Sequence, residues 1–337
     1  MAQNAIPHPL ISRRMHSITG IWLTIFLMQH LLINSQAAYF FGEDGKGFIH
    51  AVNSIHELPY LPVIEILILG FPIFVHMILG IKYLYTAKFN SFGKTYKAPS
   101  LPQYSRNKAY TWQRLTSYFL IFAIIAHVVQ MRFIEYPSNA AVGSEEYFMV
   151  LVNLDEGIYT LAERLDVQLY DSNKILIQRK LASNKELENT SYFQSFVESM
   201  KGIYQGTKTV ALPKLEINEL VEKQKIEENE NFLKTLEKHK LTNTQAVAVA
   251  KDFGTAELLM VRETFKIPIM VALYTVFVIG ACFHAFNGLW TFLISWGVTL
   301  TKKTQDLFLK ISYGLMFIFS FLGLSAIYAT YWINLKQ

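Results

Sequence analysis

Nine histidines occur in the 337-residue chain, and four of them, His30, His76, His127 and His284, lie inside long apolar runs. A neutral imidazole keeps a proton on one nitrogen and a free lone pair on the other, so such a residue can ligate a metal or relay a proton. Carrying it into hydrocarbon without a partner is costly, which makes an intramembrane histidine a functional candidate. One of them alone reads equally well as a hydrogen-bonded packing residue. Four in four separate runs ask for a common explanation. The single cysteine, Cys282, sits in the same run as His284, which excludes an intrachain disulfide and a cysteine-built zinc or iron–sulfur centre. It reads as a small packing residue.

The elements that must carry these histidines follow from composition. Hydrophobic residues make up 52% of the chain and charged ones only 17%, the balance of a membrane protein. The apolar runs fall at about 15–37, 62–87, 112–134, 267–298 and 307–333, each long enough as a helix to cross roughly 30 Å of hydrocarbon. The expected fold is therefore an all-α membrane protein of five transmembrane helices. The four with histidines form an antiparallel bundle, and the fifth is a flanking or partner-contacting helix. The first run is too long for a signal peptide and carries Gln29 and His30 within it.

Basic residues cluster beside the spans: Arg13 and Arg14 before the first, Lys82 to Arg114 between the second and third, and Lys302, Lys303 and Lys310 between the fourth and fifth. The positive-inside rule makes these regions cytoplasmic, with the amino terminus inside and the carboxyl terminus outside. The net charge of +5 serves orientation, and nothing suggests a nucleic-acid partner. Residues 135–266 differ in kind. They read as an external soluble insert between spans 1–134 and 267–337, of α/β character, with a charged helix over 215–240 and short strands at YFMVLVN (147–153) and ILIQ (175–178).

Helix direction sorts the histidines by depth. His30 lies roughly 24 Å beyond Arg14 and His127 roughly 20 Å beyond Arg114, both near the outer side. His76 lies roughly 21 Å past Pro62 and His284 roughly 27 Å past Lys266, both near the inner side. The pairs His30/His127 and His76/His284 thus share levels on the order of 10–15 Å apart, suited to two bis-histidine haems. Small residues at i±4, Gly280 and Gly288 around His284 and Pro72 and Gly80 around His76, would make room for a macrocycle. The rival from another class is a proton-coupled transporter, but no inverted repeat or pair of broken helices supports it.

Several segments carry a resemblance: SRRMHSITG at 12–20, FLMQHLLIN at 26–34, Glu65 to His76 followed by YLYTAKFN at 83–90, WQRLTSY at 112–118, and above all CFHAFNGLWTFLISWGVT at 282–299. They are similar to the diheme cytochrome b subunit of succinate:quinone oxidoreductases, of the kind with one five-helix anchor polypeptide. The resemblance covers about 1–135 and 266–333. It implies a bacterial cytoplasmic-membrane anchor that receives electrons from flavoprotein and iron–sulfur subunits on the cytoplasmic side. It also implies a proximal haem on His76 and His284, a distal haem on His30 and His127, and a membrane quinone as acceptor. The large insert departs from the family, whose corresponding connection is short.

His16 belongs to the family pattern and lies roughly 21 Å below His30 on almost the same face. With Arg14, Ser17 and Arg114 it is a candidate to meet haem propionates, since cations and hydroxyls stabilise carboxylates at a wet interface. Related fumarate reductases that move protons through the anchor have a glutamate two residues before the last haem histidine; here Cys282 stands there, which favours succinate oxidation with menaquinone reduction. The same anchor in a fumarate reductase running in reverse is the nearer rival. Glu65, at the outer start of span two, is the candidate for proton handling at a quinone site. His8, His50, His56 and His239 read as solvated loop residues.

Overall fold

The computed structural model describes residues 8–38, 45–86, 105–183 and 213–332. The chain divides into two compact units, one of the residues up to Ile134 and from Thr264 onward, the other of Glu135–Glu263. The first begins with α1 (His8–Ser35), α2 (Lys46–His56) and α3 (Leu61–Glu65). The last continues through a π-helical turn, Ile66–Gly70, into α4 (Phe71–Thr86), and α5 (Ser105–Val129) ends in a second π-helical turn, Gln130–Ile134. The second unit holds β1 (Ser138–Val142), β2 (Glu145–Asn153), α6 (Glu156–Arg164), β3 (Gln168–Tyr170), α7 (172–183), α8 (Pro213–Glu237), β4 (Gln245–Ala250) and α9 (Phe253–Phe265). The long helices α10 (Pro268–Ser295) and α11 (Lys302–Trp332) complete the first.

Among the described residues five helical stretches are long and apolar enough to cross a membrane: Pro9–Ser35, Leu61–Thr86, Asn107–Ile134, Pro268–Ser295 and Lys302–Thr330. Large apolar side chains point outward from them, with Phe122 at 73% and Phe317 at 75% exposed, as a lipid-facing surface requires and a water-facing one would not tolerate at this density. The protein is a membrane protein. The basic connection with Lys88, Lys94 and Lys97 lies outside the described residues, as do Glu43 and Asp44.

Local chemistry explains the helix irregularities. Pro72 has no N–H to give the carbonyl four residues earlier, and that carbonyl, of Ile68, instead accepts the Trp22 indole N–H at 2.7 Å. The π-helical turn before Phe71 thus coincides with a tie from α1. At the other end of the bundle, α10 stops at Gly297, whose φ of 74° suits a residue without a Cβ. Gly297 N–H donates to Ile294 O at 3.1 Å and Val298 N–H to Leu293 O at 3.0 Å, the paired bonds of a Schellman stop.

Helix α1 packs against α4, α10 and α11, while α10 packs against α5 as well as α11. Four helices therefore enclose a common interior in the order α1, α4, α5, α10, with α1–α5 and α4–α10 as its diagonals. The histidine-free α11 lies outside, against α1 and α10. Its close approach depends on Gly323, where a Cβ would come 2.7 Å from Val278 Cγ1 and 3.0 Å from Leu31 Cδ2.

In the second unit the four strands form one antiparallel sheet in the order β1-β2-β4-β3. Alternation splits β2 and β4 between two buried faces. Met149, Val247 and Val249 pack with Leu233 and Leu236 of α8 and Ile175 of α7, and Phe148 on the other face meets Phe253 of α9. Arg262 is fully buried on α9, where its guanidinium meets Asp155 at 2.8 Å and Glu263 at 3.0 Å. Asp155 also caps α6, accepting Ile158 N–H at 2.8 Å. The expected strand at 147–153 lies within β2, and the expected charged helix corresponds to α8. ILIQ at 175–178 is not a strand: it lies inside α7, whose first turn is capped by Asp171 accepting Lys174 N–H at 2.7 Å.

Candidate functional site

The structure brings the four membrane histidines together in twos across the diagonals of the bundle. His76 of α4 and His284 of α10 have ring centroids 6.2 Å apart with planes at 85°, and His30 of α1 and His127 of α5 have centroids 6.0 Å apart at 75°. Metal–nitrogen bonds of about 2 Å on either side of one ion, plus the two ring radii, put axially paired imidazoles at a centroid distance of about 6 Å. The spacing of both pairs suits a shared metal.

The hydrogen bonds around the rings decide which nitrogen is free. His76 Nδ1 lies 3.0 Å from His16 O, which can only accept. It also lies 3.3 Å from Thr19 Oγ1, whose proton goes to Met15 O at 2.9 Å. His284 Nδ1 lies 3.4 Å from the hydroxyls of Thr116 and Ser117. Both hydroxyls donate to helix carbonyls, Trp112 O at 2.9 Å and Gln113 O at 2.7 Å. His127 Nδ1 lies 3.1 Å from the Tyr274 hydroxyl, which donates its one proton to Gln130 Oε1 at 3.1 Å. Each acceptor has its own proton engaged or has none, so Nδ1 is the donor in all three rings. Their Nε2 lone pairs are left for a ligand. His30 is oriented differently, stacked on Phe26 with centroids 5.6 Å apart. Asn34, which donates to His30 O at 2.8 Å, sits beside it.

Two steps measure the separation of the levels. Ser117, beside His284, is ten residues from His127 on α5, and Tyr274, beside His127, is ten residues from His284 on α10. Either step is about 15 Å along a helix. Among the described residues no group of three or more His, Cys, Asp or Glu is placed to hold a metal ion. Two protein ligands per site fit a metal whose remaining positions are filled by a macrocycle, as in bis-histidine haem.

The remaining candidates are placed as follows. His16 stacks on His76 with centroids 4.0 Å apart and planes at 12°, and its other side meets the edge of Tyr83. Arg114 is buried at 5% exposure on α5, one turn before His284's hydroxyl partners. Arg14 donates to Ser295 O at 3.0 Å and lies 4.3 Å over the Trp296 ring, whose indole N–H donates to Ser17 Oγ at 3.0 Å. Arg14 and Ser17 therefore bind the end of α10, where a cation meets exposed helix carbonyls. Glu65, the residue before the first π-helical turn, pairs at 2.9 Å with Arg132 inside the second, both about two-fifths exposed. Such turns recur at functional sites.

Of the glycines expected beside the rings, Gly80 lies at the His16–His76 stack, and Gly20, which was not expected, lies against His76 itself. Gly280 and Gly288 face Phe119 and Gln113 of α5, whereas a Cβ at Gly20 would lie 2.9 Å from His76 Cε1 and one at Gly80 would lie 3.4 Å from His16 Cε1. Sequence reading also passed over Thr19, Gln113, Tyr274 and Arg132. Tyr274 stands ten residues before His284, at the level of the other pair, and that spacing was the available signal. Gln113 clamps the His284 level by donating to His284 O at 2.9 Å and accepting from Asn287 at 2.7 Å. Of the histidines read as solvated, His50 is exposed, and His239 is half-buried with Nε2 3.2 Å from Ser138 Oγ. The His8 side chain lies outside those described.

The chain is 30% identical over 143 residues to the succinate dehydrogenase cytochrome b558 subunit of Bacillus subtilis (strain 168), covering 42% of this chain and 62% of that relative. It thus spans about three-fifths of the length of the curated relative it matches. No family model and no solved structure matches.

Proposed function

We propose, from this kinship with the succinate dehydrogenase cytochrome b anchors, that the chain is the membrane anchor of a bacterial succinate dehydrogenase. In this reading it holds two b haems and carries electrons from a cytoplasmic iron–sulfur subunit to a membrane quinone, menaquinone by the character of Cys282. The observation that carries the reading is the pairing of the four rings at centroid distances of 6.2 and 6.0 Å, with Nδ1 of His76, His284 and His127 turned to protein oxygens, which leaves Nε2 for iron. Bound haem supplies a reversible one-electron carrier. The chain's own residues orient the imidazoles, exclude water with the apolar faces of the bundle, and keep the two levels about 15 Å apart. His76 and His284 serve the inner, proximal level and His30 and His127 the outer, distal one.

Arg114 and His16 are the residues best placed to balance propionate charge at the inner level, because one is a buried cation and the other lies flat on a ligand ring. Arg14 and Ser17 support the same end through Ser295 and Trp296. At the outer end Glu65, held by Arg132, handles protons for the quinone, whose reduction consumes them along with electrons. The positive-inside rule applied to Arg13, Arg14, Lys302 and Lys303 supports a cytoplasmic side at that end, with the flavoprotein and iron–sulfur partners there and the soluble unit outside.

The test is the reduced-minus-oxidised spectrum and haem content of the purified protein. Two b haems per chain are expected, with one lost in His76→Ala or His284→Ala and the other in His30→Ala or His127→Ala. A protein without haem overturns the proposal. Copurification with a flavoprotein and an iron–sulfur protein separates succinate oxidation from service to another dehydrogenase.

A further inference from the structure

The two outer histidines stand in unlike surroundings. The His30 ring nitrogens lie 3.5 Å from the Asn34 side-chain amide, whereas His127 gives its Nδ1 proton to a phenol that is itself tied down. The Tyr274 hydroxyl takes that proton at 3.1 Å and donates its own to Gln130 Oε1 at 3.1 Å. The Tyr274 ring is fixed by edge contacts with Phe265 at 5.2 Å and Phe277 at 6.0 Å. Phe277 also lies 5.6 Å from the His127 ring. Gln130 is three residues beyond His127, on the same face of α5 and at the first position of the π-helical turn. Residues from α5 and α10 thus form a chain of three side chains that runs in one direction.

We propose that Tyr274 is a positioning residue that sets the reduction potential of the outer haem through His127, with Gln130 holding the phenol in its accepting orientation. The inference rests on the haem reading given above. A hydroxyl already donating to an amide is a better acceptor than a free one, because bonds in a chain polarise each other. An imidazole that gives its distal N–H to a good acceptor is a stronger donor to its metal. Stronger donation favours the oxidised, more positively charged iron and so lowers the potential. The direction follows: removing the phenolic oxygen raises the potential of the outer haem and leaves the inner one, about 15 Å away, where it was.

The experiment is a spectroelectrochemical titration of the whole protein, wild type against Tyr274→Phe, which retains the aromatic contacts. The outer component is identified as the one that disappears in His127→Ala. The expected result is a shift of that component alone to higher potential, on the order of a tenfold change in its reduced-to-oxidised ratio, or about 59 mV for a one-electron couple. An unchanged outer potential, a shift to lower potential, or equal movement of both components overturns the inference. Should Tyr274→Phe lose the outer haem, Gln130→Leu decides, because it keeps the phenol against His127 and removes only its orienting acceptor. A smaller shift in the same direction then supports the role, and no shift refutes it. A wild-type protein lacking b haems would instead overturn the anchor reading itself, so the two failures are distinct.

Discussion

Gly20→Ala is a one-carbon change on α1 that should empty a site whose ligands sit on α4 and α10. The new Cβ would stand 2.9 Å from His76 Cε1 and 3.4 Å from Nδ1. The near limit of ordinary contact is 3.4 Å, so the ring must retreat by about 0.5 Å, more than twice the roughly 0.2 Å tolerance of a metal–ligand distance. It has little freedom to do so. His16 lies flat against it at 4.0 Å, and its Nδ1 proton is held by His16 O at 3.0 Å, a bond whose loss costs on the order of 1 kcal/mol. Alanine is the better helix former by about 0.8–1 kcal/mol, so α1 itself is not weakened. Haem content of the purified variant should fall from two per chain to about one, with the component assigned to His76 and His284 missing or displaced in potential. Gly314→Ala, with no atom within 4 Å of the added carbon, is the matched control and should keep both. A Gly20→Ala protein with two haems and wild-type potentials would show that Gly20 does not position His76.

Three further outcomes are expected. Glu65→Gln or Arg132→Gln should reduce quinone turnover on the order of 100-fold while reduction of the haems by succinate persists; unchanged turnover in both removes the pair from the mechanism. Arg262→Met removes the buried cation shared by Asp155 and Glu263 in the second unit. It should cost about 1.5–3 kcal/mol there, read as earlier loss of amide protection in β2 and β4; equal protection refutes it. Burial, with Lys238 beside it, holds the His239 imidazole below its ordinary range, so the folded unit prefers it neutral. Its contribution is therefore present above about pH 6.5, the unfolded value, and is lost as pH falls further, because the unfolded chain takes up the proton first. Hydrogen exchange of β1 between pH 8 and 5 should show this, and His239→Asn should flatten it.

The spans and the two histidine levels were legible because they depend on quantities that sequence spacing carries directly: run length, helical rise and alternating direction. What spacing does not carry is which side chain from another helix meets a given ring. Gly20 was unremarked because its neighbour is 56 residues away on α4, and the glycines next to His284 in sequence turned out to face Phe119 and Gln113. Glu65 was visible as a charge at a span end, but Arg132, its partner 67 residues away on another span, was not. In the second unit ILIQ misled because four apolar residues fit a buried strand and a helix face equally. Asp171, the cap four residues before it, was the better guide. QAVAVA, the strand β4, has too many alanines to announce itself by propensity.

The diagonal placement of the histidines also orders their synthesis. His30 and His127 are both on the chain before the first residue of the soluble unit has been made, whereas the other pair lacks its second member until His284 emerges 157 residues after His127. At roughly 5–20 residues per second that interval is about 8–30 s. The His30–His127 pair is therefore complete in the chain while the soluble unit is still being translated, and any group held by His76 and His284 must wait until nearly the whole chain has been made.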